Sequence, residues 1–592
     1  MLLAKHMVVV KWRCAQFIQW MQQGQKHIQL KLARNGVPMW KGNVALLNNV
    51  FAHVCQAMVH ATMEDVSSVF VPSTYEQAIA CDDKLLWIQS MKEELTSLIQ
   101  RGIFDKVAIK DLPQHTNVIT CKWIYKAKPT ADNKLLRRKS RVVAQGYLTK
   151  YGRDYLHTYS PVASSTTIRL FLAIVASKRL HLRALDVCTA FLYGDLPPKH
   201  YVYCHPPPGL GWKQGYIMRL VKSLYGLKNA PRMWFKTLSK FLFKVLGFKQ
   251  SEFDPCLWHL QTSTLYAIMV FVVDDIMLAS TSEAFNNYAI AKFAEAFKIT
   301  DMGVPSYIIG MHIYYDRERG VIKLNQERYI KAMASKYGYS DAKPVSTPHN
   351  GTKLDVSMCG TQAGTTEKMK DKPYRSLVGA ILYVCLTRPD ICVCISELAK
   401  YNNDPGVPMW NAVVHLLKYL LATCTLKLVY CAQERVGRNL KAFCDSAFHG
   451  SKDTARSRRG FFIFFNACLI SFKTMLQRCT AISSCEAEYV CASTTAREIV
   501  FLRMILSELG YAQKSPTELA CDNEVAVSLT QDKMLVSRLK HVQRCEHYVR
   551  DMTREEQIKC GWISSEFQLA DMMTKCQVKD LFLHFRSMIL KY

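Results

Sequence analysis

The chain has 592 residues, more than a single ordinary domain of about 100–200 residues contains, so the sequence predicts several domains. Hydrophobic residues make up 49% and charged residues 21%, a balance that supports large cores and argues against a disordered chain. The 77 Lys and Arg residues against 48 Asp and Glu give a net charge of +29, which suits a polyanionic partner, a ribosomal-type assembly or a membrane surface.

The 22 cysteines stand in apolar runs, and none forms a Cys-x-x-Cys pair. The sequence therefore predicts reduced, buried thiols rather than a zinc or thioredoxin-like motif, and reduced thiols are typical of intracellular proteins. The apolar run Met7–Val10 is too short for a signal peptide, and no segment approaches the roughly 20 apolar residues of a membrane span. We expect an intracellular protein, cytoplasmic or nuclear, without a membrane partner.

Helices and strands alternate along the first half of the chain. Residues 1–71 carry no usable motif and are left unassigned as an N-terminal extension. Tyr75–Arg101 has the apolar spacing of an amphipathic helix, which Gly102 ends. The next predicted features are a strand, a turn, a basic cluster and a second strand, at Val118–Lys126, Ala131–Lys134, Arg137–Arg141 and Val142–Ala144.

The second half divides into a largely helical segment and a compact α/β segment. From about Gly303 to Glu434 helices are predicted, interrupted by prolines and by the polar stretch Gly351–Lys372. From about Arg438 the predicted order is strand–strand–strand–helix–strand–helix. The elements are a strand at Leu440–Cys444, a hairpin of Gly460–Phe465 and Cys468–Lys473 across Asn466-Ala467, a helix at Ser484–Leu509 stopped by Gly510, and a strand at Leu519–Cys521.

Two adjacent aspartates, Asp274 and Asp275, interrupt an apolar run that otherwise has the composition of a buried strand. Burial of an uncompensated carboxylate costs several kcal/mol, so either the pair lies at a solvated hairpin tip or it holds a cation. A tip usually carries Gly or Asn, whereas here the apolar pattern resumes at once, which favours the cation. An Asp-Asp pair alone is nevertheless weak evidence, and solvated turn residues remain the simpler interpretation.

A third aspartate, Asp186, ends the predicted strand Leu180–Leu185, after which Val187–Phe191 enters a helix. An acidic residue at a strand end beside a hairpin with two aspartates can build a two-metal site. Magnesium prefers hard oxygen ligands and takes few of them from the protein when phosphates supply the rest. Two such ions promote phosphoryl transfer.

Several motifs in order resemble those of copia-type reverse transcriptases, the Ty1/copia retrotransposon Pol family. The resemblance covers about residues 72–576. The matching motifs are Asp186–Asp195, Ser223–Arg232, Lys139–Gly146, Asp254–Leu257, Lys343–Pro348, Tyr374–Gly379 and Thr387–Asp390.

The resemblance implies roles for individual residues of the polymerase portion. Asp186, Asp274 and Asp275 would hold two Mg²⁺ ions, or Mn²⁺ in their place. Arg141 and Lys139 would face the incoming triphosphate, because a fork of donors neutralises phosphate. Phe191 would stand against the sugar 2′ position and exclude ribonucleotides, although core packing is the simpler explanation of a Phe there. Tyr225 and Gly226 belong to the implied substrate-binding set.

Two departures from the family pattern concern the polymerase motifs. The family usually has Tyr-Val-Asp-Asp at the catalytic turn, whereas this chain has Val272-Val273-Asp274-Asp275. Asn229 replaces the usual Gln and shortens the amide by one methylene. Neither change removes an implied metal ligand.

The resemblance also implies a ribonuclease H site in the last segment. Its four implied metal ligands, again for two Mg²⁺ ions, are Asp445, Glu488, Asp522 and Asp571. Single residues of this kind are usually solvated surface groups, and Glu486 is expected to turn to solvent or to form a capping box with Ser483. The family's Ser-Asp-Ala-Asp-Trp and Lys-His-Ile-Asp patterns are altered at Ala447 and Gln543, while His541 is retained.

The sequence thus favours an α/β and α+β multidomain chain: a right-hand polymerase followed by a ribonuclease H-like domain. The expected segments are fingers and palm at 72–303, a thumb or connection at 304–437, the ribonuclease H domain at 438–576, and a C-terminal tail at 577–592. The expected partners are an RNA template, a DNA primer, RNA–DNA hybrid and dNTPs, with the oligomeric state open. The altered motif positions keep a second hypothesis open, a decayed or co-opted retroelement product that only binds nucleic acid.

Overall fold

The computed structural model describes residues 69–129, 135–431, 439–449, 453–531 and 547–592. Nearly all of the N-terminal extension, the predicted turn Ala131–Lys134, and His541 with Gln543 lie outside the described residues. The described residues divide into two compact units: the first comprises those within 69–97, 122–142 and 207–211, and the second comprises those within 98–121, 143–206 and 212–592. In the part of the chain that the structure describes, no helix is long and apolar enough to cross a membrane.

The first unit packs helices α1 (Tyr75–Ala80) and α2 (Lys84–Gln100) with a two-stranded sheet of β3 (Cys121–Pro129) and β4 (Leu135–Ala144). The prediction of one helix over Tyr75–Arg101 is wrong, because the chain breaks between α1 and α2. Asp82 and Asp83 favour the start of a helix over its interior, and the Asp83 carbonyl accepts the Trp87 N–H at 3.2 Å. Trp87 is buried edge-on against Tyr125, with ring centroids 5.4 Å apart.

The second unit contains the six-stranded sheet that carries the first aspartate cluster. Its strand order is β12-β5-β11-β10-β9-β8, and every described pairing is antiparallel. The strands are β5 (His181–Val187), β8 (Lys249–Gln250), β9 (Leu257–Gln261), β10 (Tyr266–Val272), β11 (Asp275–Ser280) and β12 (Ile299–Asp301), and the associated helices are α3 (Ser165–Lys178), α4 (Ala230–Lys244) and α5 (Glu283–Ala296).

A separate four-stranded sheet in this unit has the order β1-β7-β6-β2. Its strands are β1 (Phe104–Ala108), β2 (Val118–Ile119), β6 (Val202–Cys204) and β7 (Tyr216–Leu220). The strand predicted at Val118–Lys126 is therefore two strands, because the chain passes from this sheet to the two-stranded sheet at Thr120.

The middle segment is less helical than its sequence predicts. It forms an antiparallel sheet of β13 (Tyr307–Ile308), β14 (Met311–Asp316), β15 (Val321–Asn325) and β16 (Leu428–Cys431). About a hundred residues of sequence separate β15 from its partner strand β16. Local sequence patterns cannot predict which strands pair across so long a separation. Its helices are α6 (Glu327–Lys336), α7 (Thr366–Met369), α8 (Tyr374–Val384), α9 (Cys392–Ala399) and α10 (Val407–Ala422).

The last segment forms a five-stranded sheet in the order β19-β18-β17-β20-β21, with a long helix against it. The predicted hairpin is confirmed: Asn466 and Ala467 both adopt positive φ between β18 and β19, as a two-residue hairpin turn requires. The elements are β17 (Leu440–Ala447), β18 (Arg458–Phe465), β19 (Cys468–Leu476), α11 (Ser484–Glu508), β20 (Thr517–Cys521), α12 (Glu524–Gln531), α13 (Tyr548–Arg554), β21 (Ile558–Trp562) and α14 (Lys579–Ile589).

Helix α14 occupies the segment that was predicted to be a tail. The Phe582 ring packs edge-on against Tyr419 of α10, with centroids 5.9 Å apart, and the Arg586 guanidinium donates to the Tyr419 hydroxyl at 3.2 Å. The apolar residues Phe582, Phe585 and Ile589 are buried, so this segment is part of the core of its unit.

The five-stranded and six-stranded sheets lie in the same compact unit and share polar contacts. The Glu498 carboxylate of α11 accepts hydrogen bonds from the hydroxyls of Thr166 and Ser471 at 3.2 and 2.8 Å. At the end of α11, the Glu508 carboxylate accepts from the Ser251 hydroxyl at 2.6 Å. Together these sheets and helices confirm the expectation of a mixed α/β, multidomain chain.

A fully buried ion pair joins the helices of the middle segment. Arg388 donates from Nε and Nη2 to the two carboxylate oxygens of Asp390 at 2.9 and 2.7 Å. Its guanidinium also donates to the Thr423 carbonyl at 2.9 Å, and the Tyr419 hydroxyl donates to Asp390. The negative charge of the buried Asp390 carboxylate is thus balanced by Arg388, with a further hydrogen bond from Tyr419.

We expect Arg388→Met to lower the free energy of unfolding by about 3–5 kcal/mol, because it leaves the Asp390 carboxylate buried without its counterion. The control, Arg319→Met, removes a side chain that is 84% exposed and should change stability by no more than about 0.5 kcal/mol. Urea unfolding of the two variants measures the difference. Equal unfolding midpoints would contradict the structural role of the ion pair.

Candidate active sites

The first aspartate cluster is built on the hairpin between β10 and β11. The last pair of the ladder is Val272 with Asp275, so Val273 and Asp274 form a two-residue turn. Val273 has φ of 63°, a left-handed conformation that is rare for a β-branched residue. Both aspartates are exposed, so the hairpin-tip interpretation describes their position correctly and does not exclude a bound cation.

Two hydrogen bonds from neighbouring elements hold this strained turn. The indole N–H of Trp234, a buried residue of α4, donates to the Val273 carbonyl at 2.6 Å. The backbone N–H of Val187 at the end of β5 donates to the Asp274 carbonyl at 3.1 Å. The role of Trp234 leaves no signal in the sequence, because an isolated Trp in an amphipathic helix cannot be distinguished from core packing.

The third aspartate of this cluster, Asp186, lies directly across the sheet from Asp275, because β5 and β11 pair in antiparallel register at these residues. Cross-strand partners have Cβ atoms about 4.5–5.5 Å apart. Desolvation, followed by the like charges of Asp274 and Asp186, raises the pKa of Asp275 to about 6. The structure therefore brings together the three residues that the sequence selected, and their mutual repulsion favours a cation.

Phe191 and Tyr225 lie close to this hairpin. Phe191 belongs to a 3₁₀ helix, Ala190–Tyr193, that follows β5 where the sequence predicted the start of a helix. Its ring packs edge-on against Tyr225, with centroids 5.9 Å apart. Phe191 also lines a cavity of about 300 Å³ together with Trp234 and Val273 of the turn.

Gly226 has a backbone role that explains its residue type. It has φ of 87°, and a Cβ atom placed on it would lie 2.1 Å from the Ala144 carbonyl oxygen. A Cβ atom on Gly146 would in turn lie 2.1 Å from the Gly226 carbonyl oxygen. The two glycines therefore permit a close backbone approach, which any side chain would separate.

The predicted triphosphate ligands Lys139 and Arg141 lie on β4. Since side chains alternate along a strand, Arg137, Lys139 and Arg141 share one face, while Arg138 on the other face pairs with Asp83 at 2.5 Å. Desolvation and the positive charges of Arg141, Arg137 and Lys128 lower the pKa of Lys139. A row of like charges on one strand face favours the binding of an anion.

The second cluster forms at one edge of the five-stranded sheet. Asp445 lies on β17, Asp522 follows β20, and Asp571 lies in the 3₁₀ helix Leu569–Met573. One carboxylate oxygen from each lies within 4.8 Å of the others, and a second group within this limit joins Glu488 of α11 to Cys521 and Asp522. Among the described residues, both groups that meet this limit belong to this cluster.

Burial shapes the protonation equilibria of this cluster. Desolvation raises the pKa of Asp445, and it raises that of Glu488 well above its usual range, with Asp445 adding to the effect. Desolvation and the Asp445 charge raise the pKa of Asp571 to about 7. Partial burial of Lys575 lowers its pKa, but the carboxylates of Asp445, Asp571 and Asp522 together raise the pKa by more, so the net shift is upward. Ionisation of one carboxylate therefore makes ionisation of its neighbours less favourable, because they share a poorly solvated volume.

Neutral donors contact all four carboxylates, and the Gln577 side-chain amide is the one at Asp571, at 3.5 Å. The Thr574 hydroxyl donates to Asp445, and the Ser565 hydroxyl donates to Asp522 at 2.9 Å. The backbone N–H of Ser446 donates to Glu488 at 2.8 Å. The roles of Thr574 and Ser565 are not predicted by the sequence. The only available signal is the place of Thr574, three residues after Asp571, where a helical turn brings it to the same end of the sheet.

The expectation that Glu486 turns to solvent is wrong, since the residue is only 9% exposed. The Ser483 hydroxyl accepts a hydrogen bond from the Glu486 N–H at 3.1 Å, and the Glu486 carboxylate accepts from the Ile482 N–H at 2.9 Å. Glu486 therefore folds back over the start of α11 in a capping arrangement. This agrees with the other expectation for Glu486, a capping interaction with Ser483.

The donor set of the second cluster fits a hard divalent cation. Asp571 is buried, and its Oδ1 atom has no hydrogen-bond partner among the described residues. An orphaned carboxylate oxygen beside two further carboxylates is costly unless a cation compensates it. Oxygen ligands from Asp and Glu are the type that Mg²⁺ and Mn²⁺ take in phosphate chemistry. The first cluster offers the same ligand type from Asp186, Asp274 and Asp275.

Comparison with known proteins identifies relatives of the chain. A family model described as reverse transcriptase (RNA-dependent DNA polymerase) matches residues 104–351. The retrovirus-related Pol polyprotein from transposon TNT 1-94 of Nicotiana tabacum is 34% identical over 517 residues, covering 86% of this chain and 38% of that protein. The corresponding polyprotein from transposon RE2 of Arabidopsis thaliana is 31% identical over 529 residues, covering 88% and 34%.

This chain spans about a third of the length of these curated relatives. Among solved structures, it is similar to the foamy viral protease-reverse transcriptase in complex with double-stranded DNA. That likeness has 10% identity and a TM-score of 0.43, with 81% of this chain and 69% of that chain covered. It is too distant to add to the fold described above.

Proposed function

Because the chain belongs to the reverse transcriptase family of copia-type retrotransposon Pol polyproteins, we propose that it is an RNA-directed DNA polymerase that also hydrolyses the RNA strand of RNA–DNA hybrids. The observation that carries the polymerase assignment is the register that sets Asp275 opposite Asp186, with Asp274 in the adjoining turn. Three carboxylates at one end of a buried sheet are the ligand set that nucleotidyl transfer needs.

In the proposed polymerase site, Asp186, Asp274 and Asp275 hold two Mg²⁺ ions, or Mn²⁺ in their place. When bound, such ions activate the attacking hydroxyl and stabilise the leaving oxygen. The Trp234 and Val187 hydrogen bonds fix the backbone of the turn that carries Asp274. Lys139 and Arg141 neutralise the incoming dNTP, Phe191 limits space at the sugar, and Tyr225 supports Phe191 from the side.

The proposed nuclease site uses Asp445, Glu488, Asp522 and Asp571 as ligands for a second pair of Mg²⁺ ions. Its support is the convergence of four carboxylates from separate elements, together with the orphaned Oδ1 atom of Asp571. The substrate would be the RNA strand of an RNA–DNA hybrid, distinguished from DNA by its 2′-hydroxyls and helical form. Thr574 and Ser565 keep two of the ligands in fixed positions.

The proposed domains follow the sequence: an N-terminal extension at 1–71, fingers and palm at 72–303, a thumb or connection at 304–437, and a ribonuclease H domain at 438–576. Helix α14 extends that last domain. The proposed partners are an RNA template, a DNA primer, their hybrid and dNTPs.

The alternative function, a nucleic-acid-binding remnant without catalysis, is motivated by the changes at Val272, Asn229, Ala447 and Gln543. Against it stands the retention of all seven implied carboxylates. In a protein without catalytic function, several carboxylates in one poorly solvated volume would only destabilise the fold, since each is costly to bury. A primer-extension assay on an RNA template separates the two functions directly.

We expect Asp274→Asn to reduce DNA synthesis by at least about a thousandfold, because loss of one charged ligand removes several kcal/mol of transition-state stabilisation. Binding of RNA–DNA hybrid should stay within about threefold of the unmodified protein, since phosphate contacts supply that affinity. Asp105→Asn, an exposed aspartate on β1, is the matched control for primer extension and binding. Joint loss of synthesis and binding in Asp274→Asn would indicate a folding role instead.

Asp522→Asn should stop RNA cleavage while DNA synthesis continues, because the two carboxylate clusters share no residue. The measurement is cleavage of a labelled RNA–DNA hybrid beside primer extension on the same preparation. Asp551→Asn, an exposed aspartate on α13, should change neither activity. If Asp522→Asn abolished both activities in a folded protein, the proposal of two independent sites would be wrong.

Hybrid binding should weaken steeply with salt and depend little on sequence. The net charge of +29 and the basic face of β4 imply several phosphate contacts, each of which releases counterions. For about six contacts, affinity should fall on the order of 10³-fold between 50 and 200 mM salt. A fluorescence-anisotropy titration without divalent cations measures this, and an affinity independent of salt would refute it.

A further inference from the structure

A lysine lies inside the carboxylate cluster of the proposed nuclease site. The Lys575 ammonium is 2.8 Å from Oδ2 of Asp571, an aspartate that is itself buried. The Lys575 side chain remains 47% exposed, so its stem reaches from solvent into the cluster. Asp445 and Asp522 are also close enough for their charges to act on it.

The backbone fixes this lysine with respect to the cluster. The N–H of Lys575 donates to the Asp571 carbonyl at 3.1 Å, one helical turn earlier, which directs both side chains to the same side. Immediately before Lys575, the Thr574 hydroxyl donates to Asp445. A short segment of five residues therefore supplies a ligand, a positioning hydroxyl and a cation to one site.

A positive charge stabilises the ionised carboxylates of the cluster even without a divalent ion. The other donors described at its carboxylates are all neutral: the Thr574 and Ser565 hydroxyls, the Ser446 N–H, the Gln577 amide and the Cys521 thiol. Neutral donors satisfy hydrogen bonds but leave the repulsion between carboxylates uncompensated. Lys575 supplies a positive charge at the oxygen opposite the orphaned Oδ1 atom of Asp571.

We propose that Lys575 is a tethered counter-cation of this cluster, which stabilises the metal-free site and competes with divalent cations for Asp571. This inference rests on the proposed nuclease function for its biological meaning, but not for its test. Its consequence is that Lys575 lowers the divalent-cation affinity of the site, so that RNA cleavage requires a higher Mg²⁺ concentration than the carboxylates alone would set.

The test compares Lys575→Met, which keeps the length of the side chain and removes its charge, with Lys575→Arg, which keeps the charge. Both are made in full-length protein carrying Asp274→Asn and Asp275→Asn, so that Mn²⁺ binding reports the nuclease cluster. The free Mn²⁺ signal in electron paramagnetic resonance measures affinity. Thermal unfolding in EDTA and in Mg²⁺ measures the effect on stability. Lys559→Met, an exposed lysine on β21, controls for general electrostatics.

For Lys575→Met we expect Mn²⁺ to bind roughly three- to tenfold more tightly, a range set by the partial exposure of the lysine. The unfolding temperature should fall in EDTA, and the increase produced by Mg²⁺ should be larger than in the parent. Lys575→Arg and Lys559→Met should match the parent in Mn²⁺ affinity. Lys575→Gln replaces Lys575→Met if the latter does not fold.

Unchanged or weaker Mn²⁺ binding in Lys575→Met would overturn the proposal, as would an equal gain in Lys559→Met. A change confined to the KM for hybrid would overturn it too, since it would make Lys575 a substrate contact instead. Failure of the proposed function would give a different result. Unmodified protein that cleaves no RNA–DNA hybrid would refute the proposed nuclease activity. The Mn²⁺ affinities would still decide the role of Lys575.

Discussion

The repulsion between carboxylates held close together is the constraint on which the rest of this structure depends. Asp275 faces Asp186 across two strands, and three aspartates of the second cluster place oxygens within 4.8 Å of one another. Such arrangements are unfavourable by themselves, because desolvation and like charge act in the same direction. Rigid elements hold each carboxylate in place, and at the second cluster the Lys575 ammonium compensates part of the charge.

The two clusters meet this constraint in different ways. The first lies at an exposed hairpin turn, where strain in Val273 is held by hydrogen bonds from Trp234 and Val187. The second is buried and relies on a set of short-range donors and on Lys575. A solvated cluster needs mainly geometric support, whereas a buried one also needs charge compensation before any metal binds. This difference explains why a lysine stands at the second cluster.

Helix α11 connects the five-stranded sheet of the second unit to the six-stranded sheet of the same unit. Its first turns carry Glu488 of the second carboxylate cluster, and its later turns place Glu498 and Glu508 against residues of the six-stranded sheet and its helices. The Tyr266 hydroxyl on β10 donates to the Leu509 carbonyl just after the helix, at 3.2 Å. One continuous helix therefore joins the second carboxylate cluster to the sheet that carries the first, and the proposed domains share one packed unit.

Features that depend on local chemistry can be predicted from the sequence. The hairpin at Asn466-Ala467, the helix from Ser484 to Glu508 and the aspartates at strand ends all follow from turn residues, capping and periodicity over a few positions. Family motifs then singled out the seven carboxylates. Tertiary structure alone decided the pairing of β15 with β16, the packing of α14, the burial of Glu486, and the roles of Trp234 and Lys575. These features arise from contacts between residues distant in sequence or from the direction of one side chain, and neither leaves a periodic signal, because long-range pairing is selected by the packing of the whole unit.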